Sequence, residues 1–427
     1  MSTAYYLLPG ARLPKDVAPA VIPRIDRSLL DPILEGLGTP VCQRLAEGLT
    51  LPFARCTHHL WFWGVVPRGK TTPAHAAYVW LEDHGPTLAT EIWSVTPCVE
   101  ENGVYRSLGS DPLTAEEIDR CSEPLRKTLA KFGFVLQQWD TLWYATRMKD
   151  WEAVLRPWEC QDGMGLDEGA IAGDRDMALE CLRACAETMA GTEITAGRKA
   201  AGRPAPNAVW IAGGGRQIRF YPPTLIRAVM SDEPVLRSWA MEAGMLCQFV
   251  SRTTGKTWPE EAAPGDMIAV ISDLWEPWLR GDWDAWLAAL PGVASKIAEL
   301  KAAAIERKTE STAIVACGLG TTATLLPKTE GLKSRFLSRF AKKTPPDYSW
   351  LTDSDGKHYA DPLYYPPLRS GRRRKAAVGR FLPSSRSGAC READCREKRN
   401  GYGARRTDSA HRAPARRGSR LDARGRS

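Results

Sequence analysis

The sequence Asn207-Ala208-Val209-Trp210-Ile211-Ala212-Gly213-Gly214-Gly215 constrains the fold more than any other stretch of the chain. A run of aromatic and β-branched residues of this length is typical of a buried central strand. Three glycines end it, and glycine lets the backbone turn sharply or approach another group closely. The stretch therefore predicts a buried strand that opens into a tight turn, with Arg216 just beyond it.

Other segments predict strands and helices on both sides of this stretch. Buried strands are expected at 4–8, 76–81, 267–272 and 313–317, the last paired with 323–326. Helices are expected at 114–132, where Thr114 and Glu117 fit a capping box, and at 174–190, 224–229, 235–249, 294–307 and 333–343. Strands alternate with helices from about residue 200 onward, which predicts an α/β fold with an open mixed sheet flanked by helices.

Charge divides the chain unevenly. From Gly371 onward it carries 18 Lys and Arg against 5 Asp and Glu, a net charge of +13, whereas the whole chain carries +8 and the first 370 residues therefore −5. We expect residues 1–195 and 196–345 to form the N-terminal (mixed α/β) and C-terminal (α/β) halves of one globular unit. Residues 346–370 are expected to be a linker, and 371–427 a disordered Arg-rich tail. The tail is either a native segment or the product of a frameshift.

Composition also limits the partners. The tail lacks interleaved aromatic residues, so it could bind nucleic acid only through nonspecific phosphate contacts. No run of about 18 apolar residues occurs, and we expect no membrane partner. The N-terminus lacks the basic region of a signal peptide, and the eleven cysteines form no CxxC pair, so a cytoplasmic protein with reduced thiols is expected.

Established motifs are incomplete in this sequence. A phosphate-binding loop ending at Lys256 would need a glycine where Val250 stands, and a dinucleotide-binding turn at Gly213 would need one where Ile218 stands. His58 and His59, if placed on a strand, would point to opposite faces of the sheet. We therefore expect a structural role for both histidines and no metal site.

A pocket is predicted where three polar residues follow buried elements. Asp273 ends the strand at 267–272, Arg216 follows the opening strand, and Asp282 begins a helix. Ligands of open α/β sheets bind outside the carboxyl ends of the strands, so these residues could converge there. The candidate pocket comprises Asn207, Trp210, Gly213, Gly214, Gly215, Arg216, Asp273 and Asp282. In the alternative, Asp282 only caps its helix and Asp273 pairs with Arg216. No catalytic residue is identified.

Several short motifs resemble the RpfE-type regulatory proteins, a group related to the cofactor-independent phosphoglycerate mutases. They are Thr96-Pro97-Cys98, Asp111-Pro112, Asn207 to Gly213, and Gly281-Asp282-Trp283, spread over roughly residues 1–340. The resemblance implies an alkaline-phosphatase-like α/β fold, two divalent metals and a serine nucleophile. The sequence shows no Asp and His clusters for two metals and no recognisable nucleophile serine, so we expect no intact mutase activity.

Two hypotheses about function follow. The first is a cytoplasmic regulatory or small-ligand-binding protein of the RpfE type, whose cofactor and whose partner, a small molecule or a protein, are unknown. The alternative is a divergent mutase or a phosphatase-like phosphotransfer enzyme. A divalent metal is expected only under this alternative.

Overall fold

The computed structural model describes residues 2–66, 72–84, 89, 91–139, 142–216, 218, 220, 225–251, 258, 265–309, 311–328 and 348–353. Every described residue belongs to one compact unit, Met1–Ser370. The helix predicted at 333–343 and the tail at 371–427 lie outside the described residues. No helix within the described ranges is long and apolar enough to cross a bilayer.

The described part contains the following elements. The strands are β1 Thr3–Leu8, β2 Val41–Arg44, β3 Glu91–Glu101, β4 Val104–Arg106, β5 Val135–Trp139, β6 Leu142–Arg147, β7 Ala153–Leu155, β8 Met164–Gly165, β9 Ile171–Gly173, β10 Ala208–Gly215, β11 Ile226–Met230, β12 Leu246–Gln248, β13 Asp266–Val270, β14 Ser311–Cys317 and β15 Thr321–Leu325. The α-helices are α1 Ala18–Val21, α2 Arg27–Leu34, α3 Thr57–Val65, α4 Ala76–His84, α5 Ala115–Lys131, α6 Trp158–Gln161, α7 Arg175–Ala190, α8 Glu193–Ala200, α9 Pro234–Glu242, α10 Trp275–Arg280 and α11 Trp283–Glu306. Short 3₁₀ segments occupy Ile22–Arg24, Gly48–Cys56 and Ser349–Leu351.

The larger sheet has the strand order β12-β11-β13-β1-β14-β15-β2, and the five strands from β12 to β14 are parallel. Strand β15 runs antiparallel to both of its neighbours. Side chains of the central strand β1 alternate between two cores: Tyr6 lies in the core with α2 and α11, and Tyr5 and Leu7 in the core with α3, α4 and α9. Strands covered on both faces are largely apolar, as β1 is from Ala4 to Leu8. The predicted open mixed sheet flanked by helices is confirmed.

A second sheet contains the glycine-ended stretch Asn207 to Gly215, whose residues 208–215 form β10. Its strand order is β5-β6-β3-β4-β8, and β10 pairs antiparallel with β3. Helices α5 and α7 share a core with this sheet, in which Trp93 and Trp210 are buried. The sequence analysis placed the strand within 207–215 and the strand that Asp273 follows in one open sheet. This placement is wrong, because β10 belongs to the second sheet and β13 to the larger one. The boundary expected at residue 195 does not coincide with a change of sheet, since β10 pairs with a strand from the other side of it.

Some local predictions are confirmed and others are wrong. The strands expected at 4–8, 267–272 and 313–317 are present, and Thr114 caps α5 with Glu117 completing the capping box. The strand expected at 76–81 is helix α4, the helix expected at 224–229 is strand β11, and the segment 235–249 contains α9 followed by β12. Short apolar runs have no period that distinguishes a buried helix from a buried strand, and tertiary contacts decide between them.

Arg198 of α8 forms a salt bridge with Glu117 of α5, a helix that packs on the smaller sheet. Its side chain is 2% exposed and donates to both carboxylate oxygens of Glu117, at 2.8 and 2.6 Å. It also donates to the backbone carbonyls of Asp111, Pro112 and Pro204. The hydrogen bonds from Arg198 outweigh burial and lower the pKa of Glu117 to about 2. One carboxylate thus joins the start of α5 to α8.

We expect Arg198→Met to lower the free energy of unfolding by about 3–5 kcal/mol, because it leaves a carboxylate without its buried partner. Urea denaturation measures the change. Arg120→Met is the matched control, because Arg120 pairs with Glu193 on the exposed surface and such pairs contribute little. Equal effects of the two substitutions would contradict a special role for Arg198.

Candidate functional site

A cavity of about 260 Å³ lies between the larger sheet's carboxyl-end edge and the smaller sheet. The larger sheet contributes residues that directly follow its strands: Glu233 comes after β11 and Trp275 after β13. The smaller sheet contributes Ser94 of β3, Tyr144 of β6 and Ala212 of β10. The carboxyl ends of parallel strands are where α/β proteins bind ligands, so the topology makes this cavity the candidate site.

His58 and His59 converge on one carboxylate at this edge. Both lie on helix α3 and not on a strand, and because consecutive helical residues are separated by only about 100°, their rings can reach the same carboxylate. Their Nε2 atoms lie 2.9 and 2.7 Å from Oε2 of Glu233. The other oxygen of Glu233, Oε1, accepts a hydrogen bond from Oγ of Ser272 at 2.6 Å. The cluster therefore connects a helix with the ends of two neighbouring strands.

His75 extends this cluster along the cavity wall. Its ring lies 4.8 Å from that of His59 and 5.3 Å from that of Trp239. Within the described part, Nδ1 of His59 and Nε2 of His75 are buried and have no hydrogen-bond partner. Unpartnered buried nitrogens are uncommon in folded proteins and are often explained by a water, an ion or a ligand. Both side chains line the cavity, so its occupant is the natural source of a partner.

Burial and mutual contact set the charges in this cluster. Burial, followed by the nearby His58, lowers the pKa of His59 even though Glu233 opposes the change. Burial and the proximity of His59 lower the pKa of His75 well below its usual value. Burial alone would raise the pKa of the Glu233 carboxyl, but His58 and His59 outweigh it and the net pKa lies well below the usual value. At neutral pH the site therefore combines a carboxylate with neutral His59 and His75 side chains.

The three glycines of the opening stretch bring two backbones into contact. Gly213 has a φ of +65°, and its carbonyl accepts a hydrogen bond from the backbone N–H of His75 at 3.0 Å. A Cβ on Gly214 would lie 1.9 Å from Cδ2 of Trp93. The expected tight turn is wrong: the glycines form the end of β10, where the register with β3 shifts between Ala212 and Gly215. They are needed because the strand passes directly against Trp93 and the segment that begins α4.

The residues of the predicted pocket do not converge. Among them only Gly213 lines the cavity. Asn207 exchanges hydrogen bonds with the backbone of Glu100, at 2.7 and 2.8 Å. Trp210 is fully buried and its Nε1 donates to the carbonyl of Arg156 at 2.8 Å. Both residues therefore stabilise the smaller sheet.

The charged members of that prediction have separate partners. Arg216 pairs with Asp150, and Asp273 accepts from Lys296 at 2.7 Å, so the pairing of Asp273 with Arg216 is wrong. Asp282 caps α11 by accepting from the N–H of Ala285 at 2.9 Å, as the alternative held. The three side chains belong to surface ion pairs and a helix cap.

The sequence analysis missed the residues that the structure brings together. His58 and His59 were expected to have only a structural role, and Glu233 lies between the helices expected at 224–229 and 235–249. Two patterns could have found them. The apolar residues on both sides of the histidine pair fit a buried helix, and Ser231-Asp232-Glu233-Pro234 is typical of a chain that leaves a strand and begins a helix.

One group in the described part has the composition of a cation site. Ligand atoms of His58, His59 and Glu233 all lie within 4.8 Å of one another. A two-metal centre of the phosphoglycerate mutase type needs more carboxylate and imidazole ligands than this. Within the described ranges no second group of this kind is found, so the donor set does not fit the two metals that the resemblance implies.

Comparisons with known proteins give distant structural likenesses. No family model matches the sequence, and no curated protein matches it at a significant level. The structure of the PH0037 protein from Pyrococcus horikoshii is similar, with 13% identity over 76% of this chain and 86% of that chain and a TM-score of 0.45. A cofactor-independent phosphoglycerate mutase from Thermoplasma acidophilum DSM 1728 is also similar, with 11% identity over 78% and 91% and a TM-score of 0.38. Function is therefore argued from the geometry of the site.

Gly214→Ala should lower the free energy of unfolding by about 3 kcal/mol or more, because the added methyl overlaps the Trp93 ring. Thermal unfolding followed by circular dichroism measures the loss. Gly197→Ala in α8 is the control, and it should raise the free energy of unfolding. Its added Cβ would meet nothing within 4 Å, and alanine in a helix is about 1 kcal/mol more favourable than glycine. A stable Gly214→Ala variant would refute the close contact.

Acid should destabilise the protein through its buried histidines. The pKa of His75 is lower in the folded state than its usual 6.5, so the unfolded chain binds more protons as the pH falls below that value. The free energy of unfolding therefore decreases from about pH 6.5 downward, and His75→Phe should reduce this dependence. The midpoints of urea denaturation of the wild type and of His75→Phe, measured at pH 7.5 and 5.5 in the presence of EDTA, test this prediction. Equal acid sensitivity of both proteins would contradict the assignment.

Proposed function

We propose that this protein binds a small molecule in the cavity between its two sheets, as a binding or regulatory protein of the RpfE type rather than as a phosphotransfer enzyme. One observation carries the proposal. The cavity has two carboxylates, Glu159 and Glu233, in its lining, which contains no Lys or Arg among the described residues. Phosphoryl-transfer sites surround the phosphate oxygens with arginine or lysine as well as with metal ions, and the described lining has neither of these side chains.

The remaining lining indicates the kind of ligand. Aromatic surface comes from Tyr144, Trp158 and Trp275, and aliphatic surface from Val79 and Val235. His59, His75 and Glu233 lie close together and form the main polar group of the lining, which also contains Ser94 and Glu159. Ligand sites are typically apolar with a few polar groups that orient the ligand. The lining therefore favours a compact molecule with an apolar, aromatic body and one polar end.

Filling the cavity should abolish ligand binding. Val79 is half-buried on α4 and faces the cavity, so Val79→Trp occupies space that a ligand would use. We expect indole or naphthol to bind the wild type in ligand-observed NMR and to bind Val79→Trp at least about tenfold more weakly, which corresponds to about 1.4 kcal/mol. The control, Met241→Trp, adds the same side chain at an exposed site on α9 and should bind as the wild type does.

Phosphoglycerate is the discriminating probe for the alternative function. The proposed function requires that it neither binds in the cavity nor is turned over. Turnover of phosphoglycerate or of a simple phosphate ester by the wild type, lost in Glu233→Gln, would replace this proposal with a phosphotransfer enzyme.

A further inference from the structure

We propose that His58, His59 and Glu233 form a binding site for a single divalent transition-metal ion of the Zn²⁺ class, at the polar end of the cavity. This inference goes beyond ligand binding and does not depend on it. It rests on the arrangement of the donor atoms, on the charge of the site, on the groups that hold Glu233 in place, and on the open side of the cluster.

The donor atoms are already assembled. Two imidazole Nε2 atoms lie 2.9 and 2.7 Å from the same carboxylate oxygen, and the ligand atoms of the three residues fall within 4.8 Å of one another. A cation bound to both nitrogens and to the carboxylate would replace the hydrogen bonds that now join them. Such a site needs little rearrangement, since α3 is buried along most of its length and holds both rings.

The charge of the cluster favours a cation. The side chains of His58 and His59 are 1% and 3% exposed, and that of Glu233 is 14% exposed. Among the described residues, the side chains that bond to the Glu233 carboxylate are His58, His59 and Ser272, and none of these carries a fixed positive charge. A carboxylate removed from water is costly unless it is paired or bound to a metal.

Neighbouring groups orient the ligands. Ser272 holds Oε1 of Glu233 at 2.6 Å, which leaves Oε2 directed at the histidines. The ring of Trp275 packs edge-on against His58 at 4.6 Å between centroids. Hydrogen bonds to a ligating carboxylate are a regular feature of metal sites, and removing one typically reduces metal affinity by about 10–100-fold.

The donor set selects the class of metal. Two imidazoles and one carboxylate suit Zn²⁺ and related transition metals, whereas Mg²⁺ and Ca²⁺ prefer sites made of oxygen atoms. Zinc sites with three protein ligands keep a further position for water or a ligand. His59 and Glu233 line the cavity, so the open side of this cluster borders the space that we assign to the small molecule.

Metal binding can be measured without any organic ligand. The full-length protein, stripped with EDTA, is titrated with Zn²⁺ by calorimetry and with Co²⁺ by visible absorption, which reports the coordination geometry. We expect one ion per chain at this site, a Co²⁺ spectrum typical of tetrahedral coordination, a rise in Tm with added Zn²⁺, and no binding of Mg²⁺.

Variants locate the metal. Glu233→Gln should weaken the Zn²⁺ affinity by more than about 100-fold, and Ser272→Ala by about 10–100-fold. Ser94→Ala is the matched control, because Ser94 also lines the cavity but donates its hydrogen bond to the carbonyl of Ala212 and not to Glu233. The Zn²⁺ affinity of this variant should equal that of the wild type. Circular dichroism establishes that each variant is folded. If Glu233→Gln does not fold, the proposal is tested by comparing the Zn²⁺ affinities of Ser272→Ala and Ser94→Ala.

Three outcomes would overturn the metal site. The first is a folded, stripped wild type that takes up no Zn²⁺. The second is equal Zn²⁺ binding by the wild type and Glu233→Gln, which would locate the ion elsewhere, for example on thiols. The third is equal affinity of Ser272→Ala and Ser94→Ala. Loss of aromatic ligand binding in Val79→Trp with Zn²⁺ binding retained would separate this site from the proposed function.

Discussion

The close approach of the end of β10 to Trp93 and to the start of α4 is the constraint on which the site depends. Glycine at 213 lets β10 pass close to His75 and Ala76, and glycine at 214 leaves room for the ring of Trp93. The hydrogen bond from His75 to the carbonyl of Gly213 fixes where α4 begins. Helix α4 packs against β3 and β10 of the smaller sheet and shares a core with Tyr5 and Leu7 of the larger sheet, so this contact connects the two sheets. The cavity is the space that remains beside it.

Glu233 is the second organising element, because it connects the two strand ends to α3. Its carboxylate is held by the imidazoles of two adjacent residues, His58 and His59, and by the hydroxyl of Ser272 from a distant part of the chain. A buried carboxylate with too few partners would be strongly destabilising, so the surrounding segments must adopt positions that satisfy it. This requirement gives the cluster its fixed geometry and places its charge at one end of the cavity.

Charge also separates this cavity from a phosphoryl-transfer site. Enzymes of that class surround the transferred group with metal ions, arginine and lysine. Here the cationic side chains near the predicted pocket are engaged elsewhere: Arg216 pairs with Asp150, and Lys296 with Asp273. The cavity is left with carboxylates, imidazoles and aromatic rings. The proposed function assigns this cavity to the recognition of a largely apolar molecule, and the further proposal places a metal ion beside it.

The sequence by itself determined the parts that depend on local patterns. The apolar runs at β1, β13 and β14 favoured buried strands. Thr114, Glu117 and Asp282 were identified as capping residues, because the hydrogen bonds of a helix cap close within a few residues. Only the tertiary structure decided that β10 pairs with β3 and not with the larger sheet, and that His58, His59, His75 and Glu233 meet. Short apolar runs such as α4 and β11 have no period that fixes their type. Glu233, the partner of His58 and His59, lies far from them in sequence, so no local sequence pattern could identify the contact.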